Sequence, residues 1–376
     1  MNTPDHLRET CAARLLAAAG SVGERRAFLG FDGFVDEIVH VVDHRTGPDD
    51  YERLPQIADL AARLSRAAGH STNIELVVQR TKLGGNGPIM AHALARLGLG
   101  VTYVGSVGWP ALHPVFQELA ALAEVYGIAE PGHTDALEFA DGKVMITKTT
   151  SLNDVTWANL QARLGHERFT HHFHHDDLIA FVNWTMLPFM SELWAALQVE
   201  WCPAVSGPRR RLFFDLADPE KRTKTDILRA LELIAAFGRH FEVILGLNEK
   251  EAWAVADVID LDTRDRSRPG LLALAPMMAQ QLRVATLLIH PVRWALAVTG
   301  GQVSTAAGPF IERPALTTGA GDHFNAGFCL GQLLGFDDSL ALLAGVSASG
   351  FYVREARSPT IPDLAQLLRQ WPQPVP

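Results

Sequence analysis

Leu316-Thr317-Thr318-Gly319-Ala320-Gly321-Asp322-His323-Phe324-Asn325-Ala326-Gly327 is a glycine-rich turn running straight into an apolar segment, residues 324–334, which stops at Gly335. A turn of this kind feeding a helix leaves backbone N–H groups without intrahelical partners at the positive end of the helix dipole. Gly319, Ala320 and Gly321 carry almost no side chain, so an anion can approach that backbone closely. Asp322 stands at the helix mouth. A carboxylate there is either a cap for the helix or a general base beside the bound anion.

Working outward, short apolar runs at residues 27–31, 101–107, 178–182, 212–216, 241–245 and 284–289 read as strands. Helical spacing appears at 57–68, 115–126, 226–237 and 271–281. Such alternation predicts a parallel sheet covered on both faces. The segments 294–298 and 303–305, joined at Gly300-Gly301, read as an antiparallel edge hairpin. Residues 38–42, 74–81 and the hairpin 137–146, turning at Asp141-Gly142, alternate with one apolar face, which must cover a substrate or a second subunit. A helix at 4–19 precedes the first strand. Asp338 and Ser339 are placed to cap a late helix, and Pro362 to start the last one.

Composition bounds the function. The 376 residues are 48% apolar and 20% charged, enough for a sizeable core, either as one large domain with a small appendage or as two. A net charge of −9 argues against nucleic-acid and anionic-membrane partners, which need a basic surface. The three cysteines, Cys11, Cys202 and Cys329, lack metal-type spacing and suit a reducing compartment. The polar start has no signal-peptide pattern and no run is long enough to span a membrane, so a cytoplasmic protein is expected.

The string Thr-Thr-Gly-Ala-Gly-Asp-x-Phe-x-Ala-Gly resembles the C-terminal signature of the ribokinase family, the PfkB carbohydrate kinases. The resemblance implies an α/β fold, a doubly wound parallel sheet flanked by helices, with a small β-sheet lid. One domain would span 1–376, with lid strands near 36–46, 73–83 and 134–149 and with 1–26 as an N-terminal helical extension. It also implies an ATP- and Mg²⁺-dependent kinase acting on a sugar hydroxymethyl, with Gly319, Ala320 and Gly321 as anion hole and Asp322 as base. Asp36 matches the family's sugar-binding Asp, with Asp32 a further acidic residue nearby. Gly84-Gly85-Asn86 resembles the N-terminal glycine signature that touches the sugar, although the family's Asn stands where this chain has Ile89. Asn248 and Glu251, in Asn-x-x-Glu at a strand–helix junction, match a motif that organises Mg²⁺ and phosphate through water, Glu251 being the metal's acidic partner. As a bare pattern the same four residues are a capping box. Thr318, His290 and Arg293 complete the expected nucleotide contacts.

Three features stand apart. Leu316 replaces the Asp that starts the family signature, so the resemblance implies insensitivity to monovalent cations, with Arg354 or Arg357 holding the anion hole instead. His171-His172-Phe173-His174-His175 could ligate a metal, but four adjacent imidazoles cannot converge on one ion, and a solvated loop is expected. A Walker-type P-loop is absent. The alternatives are a nucleoside kinase or ADP-dependent sugar kinase of the same superfamily, or a sugar- or nucleotide-binding protein without catalysis; a homodimer through the lid is a further expectation.

Overall fold

The computed structural model describes residues 3–372; residues 1–2 and 373–376 of the expected 1–376 span lie outside the described residues. Its strands, in chain order, are β1 (Arg26–Phe31), β2 (Phe34–Arg45), β3 (Tyr51–Arg53), β4 (Leu76–Gly84), β5 (Gly100–Gly105), β6 (Glu124–Gly127) and β7 (Gly132–Phe139). They continue with β8 (Gly142–Lys148), β9 (Leu178–Phe181), β10 (Arg211–Asp215), β11 (Glu242–Asn248), β12 (Thr286–His290), β13 (Trp294–Thr299) and β14 (Gln302–Ala307). Nine of them form one sheet in the order β14-β13-β12-β11-β10-β9-β1-β5-β6. All neighbours from β12 to β6 are parallel, and the β12-β13-β14 edge is antiparallel.

Helices cover both faces. The helices Trp157–Leu164, His166–His175, Met190–Glu200, Lys224–Phe237, Glu249–Val258 and Arg268–Leu282 bury one apolar layer with the sheet. The helices Pro4–Ala18, Asn86–Arg96, Ala320–Leu333, Asp338–Glu355 and Ile361–Arg369 bury the other. The N-terminal helix is part of this second layer, with Cys11, Ala12 and Leu15 fully buried. From β1 the chain steps outward through β5 and β6, then returns to β9 and proceeds the opposite way. Ligands of such sheets bind beyond the strands' carboxyl ends where the order reverses. That point lies between β1 and β9.

A second sheet rises from the end of β1. β2 pairs with β4 along one edge and with β7 and then β3 along the other, and β8 pairs with β7. Its own small core, including Val39, Val41, Leu60, Leu137 and Phe139, is closed by the helix Ile57–Arg66.

Three expectations need correction. The helix expected at 115–126 is a short 3-10 turn and the single helical turn Gln117–Ala120, followed by β6. Phe116 and Leu119 keep the buried spacing, but pairing of 124–127 with β5 takes the rest into the sheet. The histidine run is not a loop: it ends the helix His166–His175. Phe169 and Phe173, four residues apart, supply the buried face that makes this segment helical. His172 stacks on Phe28 and places Nδ1 3.1 Å from Asp176. The helix Asp338–Glu355 is capped by Asp337, whose side chain accepts from Leu340 N at 2.9 Å, rather than by Asp338 or Ser339.

Candidate active site

Polar residues crowd the carboxyl ends of the central strands. Asp32 follows β1, Asn183 lies two residues beyond β9, Asp215 ends β10, Asn248 ends β11 and His290 ends β12. Above them sits the glycine turn. Gly319 has φ 96°, a conformation side-chain-bearing residues rarely adopt, and it sends the helix Ala320–Leu333 off with its N-terminus facing the site. Asp322 lies buried in the first turn of that helix. The side-chain amide of Asn86 donates to its Oδ1 at 3.0 Å. Burial pushes the Asp322 carboxyl up to about 8; the Asn86 bond opposes this, while the negative fields of Asp32 and Glu251 add to it.

Asp36 is held on β2, in register with Lys82 of β4 and Thr134 of β7. Burial also raises its carboxyl, against Lys82, a Thr134 hydrogen bond and His133. Gly84 lies directly against it: a Cβ at Gly84 would sit 2.4 Å from the Asp36 carboxyl. Gly85, with φ 96°, then turns the chain so that Asn86 opens the next helix toward Asp322. Ile89, at the position of the family's Asn, is apolar packing beneath the glycine turn, 3.1 Å from where a Gly319 Cβ would be.

Asp32, expected among the acceptor ligands, is held by donors of the protein itself. It has no exposed surface, and its Oδ2 accepts from Asn86 N at 2.9 Å and Asn183 Nδ2 at 2.7 Å. Its Oδ1 accepts from Gly87 N at 2.8 Å. Both oxygens are thus engaged by protein donors, and Asp32 supports Asn86 from below. Burial raises its carboxyl to about 6, opposed by the bonds from Asn183, Gly87, Asn86 and Tyr103.

Asn248 and Glu251 form the capping box. The Asn248 side chain accepts from Glu251 N, and Glu251 Oε2 accepts from Asn248 N, both at 2.9 Å. Glu251 Oε1 accepts from Asp218 N at 2.9 Å, which fixes the buried carboxyl's orientation. Asp215 accepts from Ala217 N at 2.9 Å and from Asn325 Nδ2 at 3.0 Å. Burial raises the carboxyls of both Asp215 and Glu251, and the Glu251 and Asp322 charges raise Asp215 further. Among the described residues no Lys or Arg is ion-paired to Asp215, Glu251 or Asp322. Their oxygens already accept hydrogen bonds from the protein, so a hard divalent cation such as Mg²⁺ could be held here only through water.

On the other side of the glycine turn lies a cleft of about 390 Å³. Ala320 and Gly321 border it, and Pro309, Phe310, Ile311, Val346 and Val353 give it an apolar wall. His290 reaches it, packed on Phe324 with ring centroids 4.9 Å apart; burial lowers its imidazole to about 4, so it is neutral there. Arg293 lies over the Phe310 ring at 3.7 Å. The Thr318 side chain makes no described contact, but its carbonyl accepts from Tyr352 Oη at 2.9 Å. Arg354 and Arg357 do not support the anion hole: Arg354 donates to the carbonyls of Gly350 and Phe310, and Arg357 pairs with Asp363.

The chain matches the model of the family described as prokaryotic ketohexokinase over residues 2–371. The chain belongs to this family. A ketohexokinase of Haloferax volcanii is 29% identical over 370 residues, 97% of this chain and 96% of the relative. Among solved structures, a carbohydrate kinase from Agrobacterium tumefaciens superposes with a TM-score of 0.63 at 19% identity, covering 93% of this chain and 98% of the other. A ribokinase of Arabidopsis thaliana, solved with ribose and ATP, does so with a TM-score of 0.63 at 15% identity, covering 92% and 98%. These likenesses establish the ribokinase fold. This prokaryotic-ketohexokinase-family member is a sugar kinase of the ribokinase superfamily, a phosphotransferase with an alcohol acceptor.

Sequence reading missed four residues in this member's site: Asn183, Asp215, Asn325 and Tyr352. Asp215 was readable as an acid ending an apolar strand. Asn183 adopts φ 59°, which Asn tolerates better than most residues, and it follows β9 closely. Tyr352 had no local signal, because its role depends on a helix folding back beside the glycine turn.

Proposed function

We propose that this protein is an ATP-dependent ketohexokinase, transferring a phosphoryl group to a hydroxymethyl oxygen of a ketohexose with Asp322 as general base. The observation that carries this reading is the buried Asp322 carboxyl, held by Asn86 in the first turn of the helix that Gly319, Ala320 and Gly321 open. Asp36, with Gly84 and Gly85 beside it, would bind acceptor hydroxyls, and Asn86 would fix both base and acceptor. With the acceptor oxygen beside it, Asp322 takes the hydroxyl proton as the new phosphorus–oxygen bond forms and the bond from the γ-phosphorus to the bridging oxygen breaks, ADP leaving with the electron pair. The N–H groups of the turn stabilise charge on the transferring phosphoryl, and most of the acceleration comes from positioning and electrostatics. The apolar cleft suits the flat base of a nucleotide, with His290 as a neutral hydrogen-bonding neighbour. Asp215, Asn248 and Glu251 would hold Mg²⁺ through water, and the bound ion supplies charge neutralisation on the nucleotide phosphates.

The ATP complex of the Arabidopsis ribokinase supports the choice of donor. Three free, buried cysteines suit a cytoplasmic location, and Leu76, Val78, Met145 and Ile146, exposed on the second sheet, suit a homodimer through the lid. The test is a panel of ketohexoses, aldoses and nucleosides assayed with ATP and with ADP, reading ADP or AMP release. Turnover selective for a ketohexose with ATP is expected. Turnover confined to nucleosides, or to ADP as donor, overturns the reading.

A further inference from the structure

The two faces of the second sheet carry different residues. Asp36 of β2 and Thr134 of β7 are in register and share one face. One residue further, Glu37 and Asp135 are again in register, and the alternation of a strand puts both on the other face. His133, two residues before Asp135, joins them there. Val39, Val41, Leu137 and Phe139 follow on that same face and begin the small core under the helix Ile57–Arg66. Glu37, His133 and Asp135 therefore stand half-buried at the open end of an apolar layer, on the side away from Asp36.

His133 Nε2 lies 3.1 Å from Glu37 Oε2 and 3.2 Å from Asp135 Oδ1, and ligand atoms of the three residues all fall within 4.8 Å of one another. An imidazole nitrogen carries one proton or one lone pair, directed along one line. It can serve one of these carboxylates in line, and the other then faces it without a proton to share. Among the described residues Glu37 has no Lys or Arg in ion-pair contact. Asp135 has one: Lys148 Nζ lies 3.1 Å from Oδ2, the oxygen not directed at His133. That contact orients the carboxylate and leaves Oδ1 for a further partner. A cation in place of the imidazole proton satisfies all three atoms at once. Two ligands ~2.1 Å from a tetrahedral ion lie about 3.4 Å apart, close to both spacings around Nε2. One imidazole with two carboxylates is a mixed nitrogen and oxygen set. It suits a borderline transition ion such as Zn²⁺ better than Mg²⁺, which takes oxygen ligands.

We propose that Glu37, His133 and Asp135 form a transition-metal site, taking Zn²⁺, on the face of the second sheet opposite Asp36. Glu37 comes from β2 and the other two ligands from β7, so the ion cross-links the strands that carry Asp36 and Thr134. Three protein ligands leave the fourth position of a tetrahedral ion to water. The bound metal acts as a clamp on the β2–β7 register, and its binding free energy adds to the stability of the fold.

The experiment titrates Zn²⁺ calorimetrically into chelator-treated protein, in excess Mg²⁺ to fill positions that prefer a hard ion. His171→Ala and His175→Ala are present throughout, because those two side chains, one helical turn apart with ring centroids 5.0 Å apart, can bind the same ion. In this background one equivalent of Zn²⁺ is expected to bind with a Kd on the order of 1 µM and to raise the melting temperature. Adding His133→Ala or Glu37→Gln weakens that binding at least ~10-fold and removes the shift in melting temperature. Glu37→Gln keeps the shape of the side chain, so it decides the matter where His133→Ala disturbs the sheet. No heat up to about 100 µM Zn²⁺, or equal affinity in all three proteins, overturns the proposal. Neither readout involves turnover, so the assignments of sugar and nucleotide do not enter.

Discussion

Asn86 Nδ2 lies 3.0 Å from Asp322 Oδ1, joining two residues 236 positions apart. Asn86 begins its helix at the foot of the second sheet, and Asp322 begins its own on the far side of the site, so this bond aligns the acceptor signature with the anion hole. It is also the main hydrogen bond opposing the burial that raises Asp322. Asn86→Ala removes it. The rise of kcat/KM with pH then moves to higher pH, and at pH 7 activity falls by about 10-fold for each unit the carboxyl moves up, as its ionised fraction falls in proportion. A pH profile superimposable on wild type contradicts the assigned contact.

Asp322→Asn lowers kcat by at least ~100-fold while nucleotide binding persists. The same variant has a stability signature. A carboxyl whose folded value is raised from 3.8 to about 8 binds its proton more tightly in the fold than in the open chain. Its contribution is therefore complete below the unfolded value and is lost as pH rises through the folded one. The melting temperature of Asp322→Asn, relative to wild type, should climb between pH 5 and pH 9. A difference that stays flat contradicts the raised carboxyl.

Gly84→Ala places a methyl where the Asp36 carboxyl now lies. Displacing Asp36 weakens acceptor binding, and Asp36→Ala does so by about 1.5–3 kcal/mol, the range for a hydrogen bond to a charged group. Titration of the nucleotide alone should remain as in wild type for both variants. An unchanged acceptor KM in both removes Asp36 from the acceptor site.

Asp32→Ala behaves differently. It strips acceptors from the Asn86 and Gly87 N–H groups and the Asn183 amide, and stability falls by about 3 kcal/mol or more, because each buried donor left unpaired costs about 1–3 kcal/mol. Chemical denaturation measures this. A variant of wild-type stability with weakened acceptor binding would return Asp32 to the acceptor site.

Potassium should leave the rate unchanged within about two-fold. The Thr317 carbonyl accepts from Ala320 N at 3.1 Å, the Thr318 carbonyl from Tyr352 Oη at 2.9 Å, and the Gly319 carbonyl from His323 Nδ1 at 2.7 Å. With those oxygens engaged and Leu316 in place of an anionic ligand, a monovalent cation finds no coordinating shell, since each lost oxygen contact leaves much of its hydration uncompensated. Turnover in tetramethylammonium buffer with and without K⁺, at matched ionic strength, is the measurement; activation beyond a few-fold contradicts it.

Much of this was legible because it is local. The apolar runs that became β1, β9, β10, β11 and β12 are buried on both sides of a parallel sheet, so their composition alone marked them. The turn at 319–321 and the capping box at 248–251 are short-range motifs, and both form. What stayed hidden depends on distant partners. Nothing near Asp32 reveals that the amides of residues 86 and 87 and the side chain of Asn183 converge on it. The 124–127 segment looked helical because its sheet neighbour, β5, is about twenty residues away. The Phe169–Phe173 pair was visible, but the histidines around it concealed an ordinary amphipathic helix.

The helix Pro4–Ala18 packs against the helix Ile361–Arg369, and Glu9 and Arg369, 360 positions apart, meet at 2.8 Å. During synthesis at about 5–20 residues per second, the first helix therefore waits on the order of tens of seconds for its partner to be made. Throughout that time Cys11, Ala12 and Leu15 lack the neighbours that bury them in the finished fold. One side of the sheet cannot seal until residues 361–369 have been made, so the nascent chain carries that apolar face uncovered for the whole interval.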